Sequence, residues 1–315
     1  LEIDVRSSVD RFADLASVFD PFDAAYLRSI DAADFAPQGL DGDRRVYETS
    51  GTTGAAKRVV MVDYWREQAQ WAARLLAETE FPTGNILMLG PPGGANNAGV
   101  FTQHLAHEWD ALPYYINMDP RWAKRLSQDD PDALDGYVNH LIDQAETVLE
   151  SQDISILFTT ARLLERPRVR DLVADSAIQG VYHGGTALDP DTYRVFREDW
   201  YSAVALTGEY GNTLMGVAQE PIHLRPPGDR NYRLDYAPCY PYFVPEVLDK
   251  NGSLVDYGKR GRVRLTVLTE EFFIPLLPER DEAVRVEGVD PLPWDWLRDP
   301  GTADAAVGDA VEGVY

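Results

Sequence analysis

The chain has 315 residues, of which 44% are hydrophobic, and its 52 acidic and 29 basic residues give a formal net charge of -23. This length and apolar content suffice for one large globular domain or two smaller ones, whereas the acidic excess argues against nucleic acid as a partner, because phosphate-contacting surfaces need clustered Lys and Arg. A single cysteine, Cys239, excludes an intramolecular disulfide and a cysteine-cluster metal site, and no apolar run is long enough to span a membrane, so we expect a cytoplasmic protein.

Two helices and a strand–loop–strand unit are predicted at the beginning of the chain. Apolar residues at helical spacing between residues 7 and 33 predict the helices, which Pro21 separates. Val46 and Tyr47 then end a short strand, and the run 59–62 forms a returning strand.

The segment between these strands combines hydroxyl side chains, two glycines and a lysine. Glycine permits positive φ angles, so that successive N–H groups can point toward one anion, and hydroxyls add further donors. Clusters of Ser, Thr and Gly are also typical of ordinary loops. The candidate phosphate-binding residues are Thr49, Ser50, Gly51, Thr52, Thr53, Gly54 and Lys57.

Helical and extended patterns alternate from residue 64 to about residue 215. Helices are predicted at 64–76, 100–109, 133–149 and 160–164, and buried strands at 85–89, 112–116, 154–158 and 177–182. The alternation predicts an α/β fold in which a mostly parallel sheet is covered by helices. The segment 90–99, rich in Gly, Pro and Asn, follows a strand, where such folds place ligands.

Short extended runs with turn signals begin at about residue 221. They include 240–247, the turn 249–252 and the run 261–268. We therefore predict an α/β core over residues 1–220 and a smaller C-terminal β subdomain over residues 221–315.

Several of these segments resemble motifs of the adenylate-forming superfamily, which includes acyl-CoA synthetases, luciferases and peptide-synthetase adenylation domains. The segment 49–57 resembles the Ser/Thr-Gly-Thr-Thr-Gly-x-x-Lys phosphate loop of that superfamily. Residues 183–188 resemble the Gly-Gly-Glu-x-Leu turn that lies against adenine, and residues 206–213 resemble the Tyr-Gly-x-Thr-Glu motif. The segment 274–285 is similar to a degenerate form of the motif that supplies an aspartate to the ribose.

The resemblance implies ATP-dependent activation of a carboxylic acid to an acyl adenylate, with Mg²⁺ as cofactor. Lys57 and Thr213 would be the catalytic residues, and Tyr210 would stack on the purine. The implied nucleotide-binding set is Thr49, Ser50, Gly51, Thr52, Thr53, Gly54, Gly184, Gly185, Thr186, Glu209, Tyr210, Gly211, Asn212 and Asp281. His104 and His183 would lie in the substrate pocket. His104 and His107 share a helix face but lack a third ligand, so we expect no zinc site.

Two departures from the superfamily pattern bear on activity. Leu214 stands where the superfamily has a glutamate that helps to hold magnesium. Glu209 or a neighbouring carboxylate is the implied replacement ligand, unless ATP and water hold the metal or the activity is reduced. The last lysine is Lys259, so we expect the mobile C-terminal domain, whose lysine contacts the adenylate, to be absent from this chain. The adenylate would then pass to a partner reductase or carrier protein.

Within the superfamily, the compact layout and the Tyr-Gly-Asn-Thr segment most resemble phenazine-antibiotic biosynthesis adenylating proteins. This closer resemblance and the Tyr and Trp content lead us to expect an aromatic acid and a role in secondary-metabolite biosynthesis. We expect a small carboxylic acid as a binding partner and a second copy of the chain as the partner in a homodimer. We expect neither nucleic acid nor a membrane as a partner. Two alternatives stay open: an acyl-CoA ligase that is complete only as an oligomer, and a non-catalytic ATP-binding descendant.

Overall fold

A computed structural model describes residues 12–23, 25–36, 39, 41–49, 57–91, 93, 96–224 and 231–302. Within these ranges the strands form a two-stranded sheet and an 11-stranded sheet. The small sheet pairs β1 (Arg45–Glu48) with β2 (Arg58–Met61) in antiparallel register. The predicted strand–loop–strand unit is thus confirmed in its two strands, while residues 50–56 of its loop lie outside the described residues.

Five parallel strands form one half of the large sheet, in the order β4, β3, β5, β6, β7. Three of them are buried at every position, as parallel strands covered on both faces are. Their bounds are β3 Ile86–Gly90, β4 Pro113–Asn117, β5 Ile156–Thr160, β6 Gly180–Gly184 and β7 Ala205–Asn212. The mostly parallel, helix-covered α/β core is confirmed.

Nine α-helical segments are present among the described residues. They are α1 Leu15–Val18, α2 Tyr26–Ser29, α3 Tyr64–Ala77, α4 Ala98–Glu108, α5 Pro120–Asp129, α6 Pro131–Ser151, α7 Ala161–Leu164, α8 Pro167–Ala174 and α9 Pro190–Val195. The helices α5, α6 and α9 each begin with an aspartate cap followed by proline, a strong start signal. No helix in the described ranges is long and apolar enough to cross a membrane.

Antiparallel strands make up the other half of the same sheet. They are β8 Gly216–Gln219, β9 Asp235–Pro238, β10 Phe243–Leu248, β11 Arg260–Leu268, β12 Phe273–Val286 and β13 Trp296–Thr302. β8 pairs with both β7 and β9, so hydrogen bonding continues across the predicted boundary at residue 220. The β-rich segment is therefore an extension of the sheet, and its standing as a separate subdomain stays a prediction.

The amino-terminal region differs most from the predicted helices. Among its described residues, the run between 12 and 35 contains only two four-residue α-helices and two short 3₁₀ segments. The extended conformation of Phe19, close to Pro21, ends the first helix after one turn.

Candidate functional site

A cleft of about 190 Å³ opens at the carboxyl ends of β3, β5, β6 and β7. This edge is where parallel α/β sheets bind ligands. Its described lining residues are Glu48, Thr49, Met88, Gly90, Pro91, Asn96, Asn97, Ala98, Phe158, Thr159, Thr160, Gly184, Gly185, Glu209, Gly211, Asn212, Thr213, Gly216 and Val217. Residues from six separate sequence segments, around 48, 90, 97, 159, 184 and 212, therefore share one site.

Glycines at the end of β6 make room for this cleft. A Cβ atom on Gly184 would lie 2.7 Å from Cγ of Glu209, so only glycine lets that side chain lie across the strand. Gly185 follows with φ of +75°, a conformation that favours glycine. The predicted Gly184-Gly185 turn thus forms a wall of the cleft.

Thr213 joins three parts of the cleft. Its buried hydroxyl donates to the main-chain oxygen of Glu48 at 3.3 Å and lies 3.5 Å from Oδ1 of Asn97. The side-chain oxygen of Asn212 accepts hydrogen bonds from the amides of Leu214 and Met215 at 2.9 and 3.1 Å. Asn212 therefore fixes the turn that presents the Thr213 hydroxyl.

Glu48 is a cleft residue that the sequence motifs do not indicate. Its carboxylate accepts a hydrogen bond from Nε of Arg58 at 2.6 Å and another from the guanidinium of Arg121. These two hydrogen bonds lower the pKa of Glu48. The carboxylate is therefore ionised but paired with two cations.

Lys57 closes the base of the predicted phosphate loop. Its amide donates to Oγ1 of Thr49 at 3.1 Å, and the amide of Thr49 donates to the carbonyl of Lys57 at 3.0 Å. Burial lowers the pKa of the Lys57 ammonium, and the charge of Glu279 opposes that shift. Burial also raises the pKa of Glu279, whose Oε1 accepts from Nδ2 of Asn212 at 3.3 Å. The remaining loop residues of the expected set, Ser50, Gly51, Thr52, Thr53 and Gly54, lie outside the described residues.

Tyr210 and Asp281, both expected at the nucleotide, contact each other. The hydroxyl of Tyr210 donates to Oδ2 of Asp281 at 2.6 Å, and this bond connects β7 to β12. Neither residue is among those that line the cleft. Thr186, another expected member, also lies off the cleft, and its hydroxyl accepts from the amide of Arg162 at 3.4 Å.

The two histidines expected in the substrate pocket do not line the cleft. His104 lies on α4, half-buried, with Arg66 and Asp63 as its charged neighbours, and burial lowers its pKa. His183 is 1% exposed and packs against Gly208, whose Cβ position lies 2.2 Å from the imidazole Cε1. Because Gly184 faces the cleft, the preceding residue on the strand points to the other side of the sheet.

Glu209 lines the cleft, and its implied role as a magnesium ligand stays a prediction. Burial raises its pKa to about 8, and its Oε2 lies 3.0 Å from the hydroxyl of Tyr182. In the part of the chain that the structure describes, no three His, Cys, Asp or Glu residues form a group that could hold a metal. Leu214, which replaces the superfamily glutamate, is fully buried.

No family model matches the sequence, and a search of curated proteins finds no match. Solved structures do match. An open conformation of 2-hydroxyisobutyryl-CoA ligase, in complex with 2-HIB-AMP and CoA, aligns with a TM-score of 0.62 at 14% identity, covering 93% of this chain and 65% of the ligase chain. The same ligase in the postadenylation state with 2-HIB-AMP aligns with a TM-score of 0.62 at 15% identity, covering 95% of this chain and 61% of the ligase chain.

MbtA from Mycobacterium smegmatis, in an apo structure, aligns with a TM-score of 0.50 at 16% identity, covering 80% of this chain and 45% of that one. This chain thus spans less than two thirds of the length of these enzymes. Identities this low establish the fold alone. Over most of its length, the chain shares its mixed-sheet α/β fold with these solved structures.

Proposed function

We propose that the protein binds ATP and a carboxylic acid and converts them to an acyl adenylate and pyrophosphate. The supporting observation is the cleft itself, in which Thr49, the Gly184-Gly185 turn and Thr213 meet at the carboxyl ends of parallel strands. Each comes from a segment that resembles a different motif of the superfamily. The fold is shared with a ligase whose structure holds 2-HIB-AMP.

In this reaction a carboxylate oxygen of the acid attacks the α-phosphorus of ATP. The bond from that phosphorus to the bridging oxygen breaks, and pyrophosphate leaves with the electron pair. The Thr213 hydroxyl would donate a hydrogen bond to an α-phosphate oxygen, and Lys57 would place positive charge beside the leaving pyrophosphate. The Gly184-Gly185 turn would lie against the base.

The acid is proposed to be aromatic, with phenazine carboxylates among the candidates. Apolar side chains of Met88, Phe158 and Val217 line part of the cleft and support an apolar or aromatic acyl group. We further propose that the acyl group passes to a partner reductase or carrier protein in secondary metabolism.

Exchange of labelled pyrophosphate into ATP, measured over a panel of aryl acids, tests this proposal. We expect acid-dependent exchange that falls by about 10- to 100-fold in Lys57→Ala, the size of a lost hydrogen bond to a charged group. Lys250→Ala, an exposed lysine in the turn after β10, is the matched control. Unchanged exchange in Lys57→Ala would remove that residue from the site.

A non-catalytic ATP-binding protein is the second candidate. It is favoured by Leu214, a buried apolar residue at the position where the superfamily motif has a glutamate. ATP binding by calorimetry without exchange for any acid would support it. Thioester formation on adding coenzyme A would instead indicate an acyl-CoA ligase.

A further inference from the structure

Glu209 belongs to the cleft, yet the proposed chemistry gives it no role. Its side chain lies across Gly184, with Oε1 2.9 Å from the position that a Cβ atom would take there. The other oxygen, Oε2, lies 3.0 Å from the hydroxyl of Tyr182, a buried residue of β6. The two carboxyl oxygens therefore have different surroundings.

The buried side-chain amide of Gln219 determines where the protons lie between Tyr182 and Glu209. Nε2 of Gln219 donates to the carbonyl oxygen of Gly208 at 3.1 Å and to Oγ1 of Thr207 at 3.0 Å. A main-chain carbonyl can only accept, so the amide nitrogen must face it. Oε1 of Gln219 then faces the hydroxyl of Tyr182 at 2.5 Å.

The tyrosine has one proton for two oxygen neighbours. If the phenol donates to Oε1 of Gln219, its oxygen can only accept from Glu209, whose Oε2 must then carry a proton. If Glu209 were ionised and took the phenol proton, two lone-pair oxygens would face each other at 2.5 Å in a buried site. The hydrogen-bond geometry therefore favours a protonated Glu209.

We propose that Glu209 is a neutral acid at neutral pH and offers Oε1 to the bound ligand as an uncharged hydrogen-bond acceptor. Oε2–H donates to Tyr182, so only the carbonyl-like Oε1 is left for the cleft. The ligand group that it recognises is an O–H or N–H donor: a hydroxyl or amino substituent of the acid, or the amino group of adenine. Glu209 is then a specificity-determining residue in the proposed adenylation site, on whose function this inference rests.

This arrangement also removes a charge that would repel phosphate. The cleft contains a second carboxylate, Glu48, and it is paired with Arg58 and Arg121. A proton neutralises the carboxyl group of Glu209, whereas two guanidinium groups neutralise that of Glu48. An anionic ligand can therefore bind in a protein whose formal net charge is -23.

The protonation state is tested first, without turnover. Infrared difference spectra of the ligand-free protein, labelled with ¹³C-glutamate, should show the C=O stretch of a protonated carboxylic acid at pH 7. The band should be missing in Glu209→Gln and should persist in Glu165→Gln, a matched variant away from the cleft. A Glu209-dependent carboxylate band in its place would overturn the proposal, whether or not the protein is an enzyme.

Ligand recognition is tested with Glu209→Ala and Glu209→Gln. We expect Glu209→Ala to weaken binding of the donor-bearing ligand by about 10-fold, the size of one hydrogen bond, and Glu209→Gln to restore it to within about threefold, because an amide keeps the acceptor. Hydroxylated and unsubstituted benzoates identify a donor on the acid. ATP and purine riboside triphosphate, which lacks the amino group, identify a donor on the base.

Magnesium titrations separate this role from metal ligation. A metal ligand would make Glu209→Gln as weak as Glu209→Ala, and high Mg²⁺ concentrations would rescue both variants. That result would overturn the proposal, as would equal loss for ligands with and without the donor. ATP binding measured by calorimetry makes these comparisons possible even if the pyrophosphate exchange expected for an adenylating enzyme is not found.

Discussion

His183 shows how a single side chain can make stability depend on pH. Neither ring nitrogen has a hydrogen-bond partner among the described residues, and burial lowers the pKa of the imidazole from 6.5 to about 4. The folded state therefore holds a neutral imidazole. The contribution of the neutral His183 imidazole to the free energy of unfolding is therefore fully present above pH 6.5, and it is lost as the pH falls from 6.5 toward 4.

We predict that His183→Met removes part of the acid sensitivity of the protein. The lowered pKa corresponds to roughly 3 kcal/mol of pH-dependent stability. Urea unfolding at pH 7 and near pH 4 should therefore show a smaller difference in His183→Met than in the wild type. His140→Gln, which changes an exposed histidine on α6, is the control and should behave as the wild type. An equal pH difference in His183→Met would mean that His183 is not held neutral.

At the scale of single residues, the sequence motifs locate seven of the 19 described residues that line the cleft. Thr49, Gly184 and Thr213 all line the cleft, and each comes from a segment that resembles a different superfamily motif. The apolar floor, Met88 and Phe158, could not be separated from ordinary core residues, because a buried strand has the same composition whether or not its end meets a ligand. Only the pairing register of the strands, which places Met88 beside Phe158, shows which side chains face the cleft.

At the scale of elements, helix α3 holds the turn that carries the predicted phosphate contacts. The hydroxyl of Tyr64 donates to the carbonyl of Met215 at 2.7 Å, and Oε1 of Gln68 accepts from the amide of Val217 at 3.0 Å. Between them, Gly216 has φ of +82°. The turn from β7 to β8 is thus fixed by a helix whose Gln68 lies 149 residues before Val217 in the chain.

We predict that Gly216→Ala destabilises the protein by roughly 3 kcal/mol and weakens ATP binding. A Cβ atom there would lie 2.5 Å from Oε1 of Gln68 and 2.6 Å from the hydroxyl of Tyr64, so overpacking adds to the backbone strain. Gly252, with φ of +80° and no atom within 4 Å of its Cβ position, is the matched control. Gly252→Ala should cost only about 1 kcal/mol in urea unfolding and leave ATP binding intact. Equal costs for the two variants would contradict the role given to α3.

The elements that sequence patterns predict are those specified by local chemistry. Fully buried runs that include apolar residues indicate β3, β5 and β6. Strands β8 and β13 are short or polar, and they are strands because β7, β9 and β12 pair with them. The start of α3 likewise depends on distant Glu271, whose carboxylate accepts from the amides of Val62 and Asp63 at 2.7 and 2.5 Å. Contacts at such sequence separations leave no local pattern.

At the scale of the whole molecule, acidity sets the response to salt. The formal net charge is -23, and only four of the 29 basic residues are lysine. Many guanidinium groups are committed to ion pairs with carboxylates, such as Arg168 with Asp143 and Glu146. The unpaired carboxylates repel one another over distances set by the Debye length. The compact state therefore carries a repulsion that the expanded chain relieves.

We predict that the melting temperature rises by about 5 °C or more between about 0.01 M and about 1 M NaCl, over which the Debye length falls from about 30 Å to about 3 Å. A triple variant, Glu150→Lys, Asp153→Lys and Asp175→Lys, changes exposed positions and moves the net charge from -23 to about -17, because each exchange adds two positive charges. Its melting temperature should be higher than that of the wild type at low salt and should rise less with NaCl. Sucrose, which strengthens burial without screening charge, should raise both proteins equally. Equal salt slopes for the two proteins would show that ion exclusion, and not charge repulsion, controls the salt response.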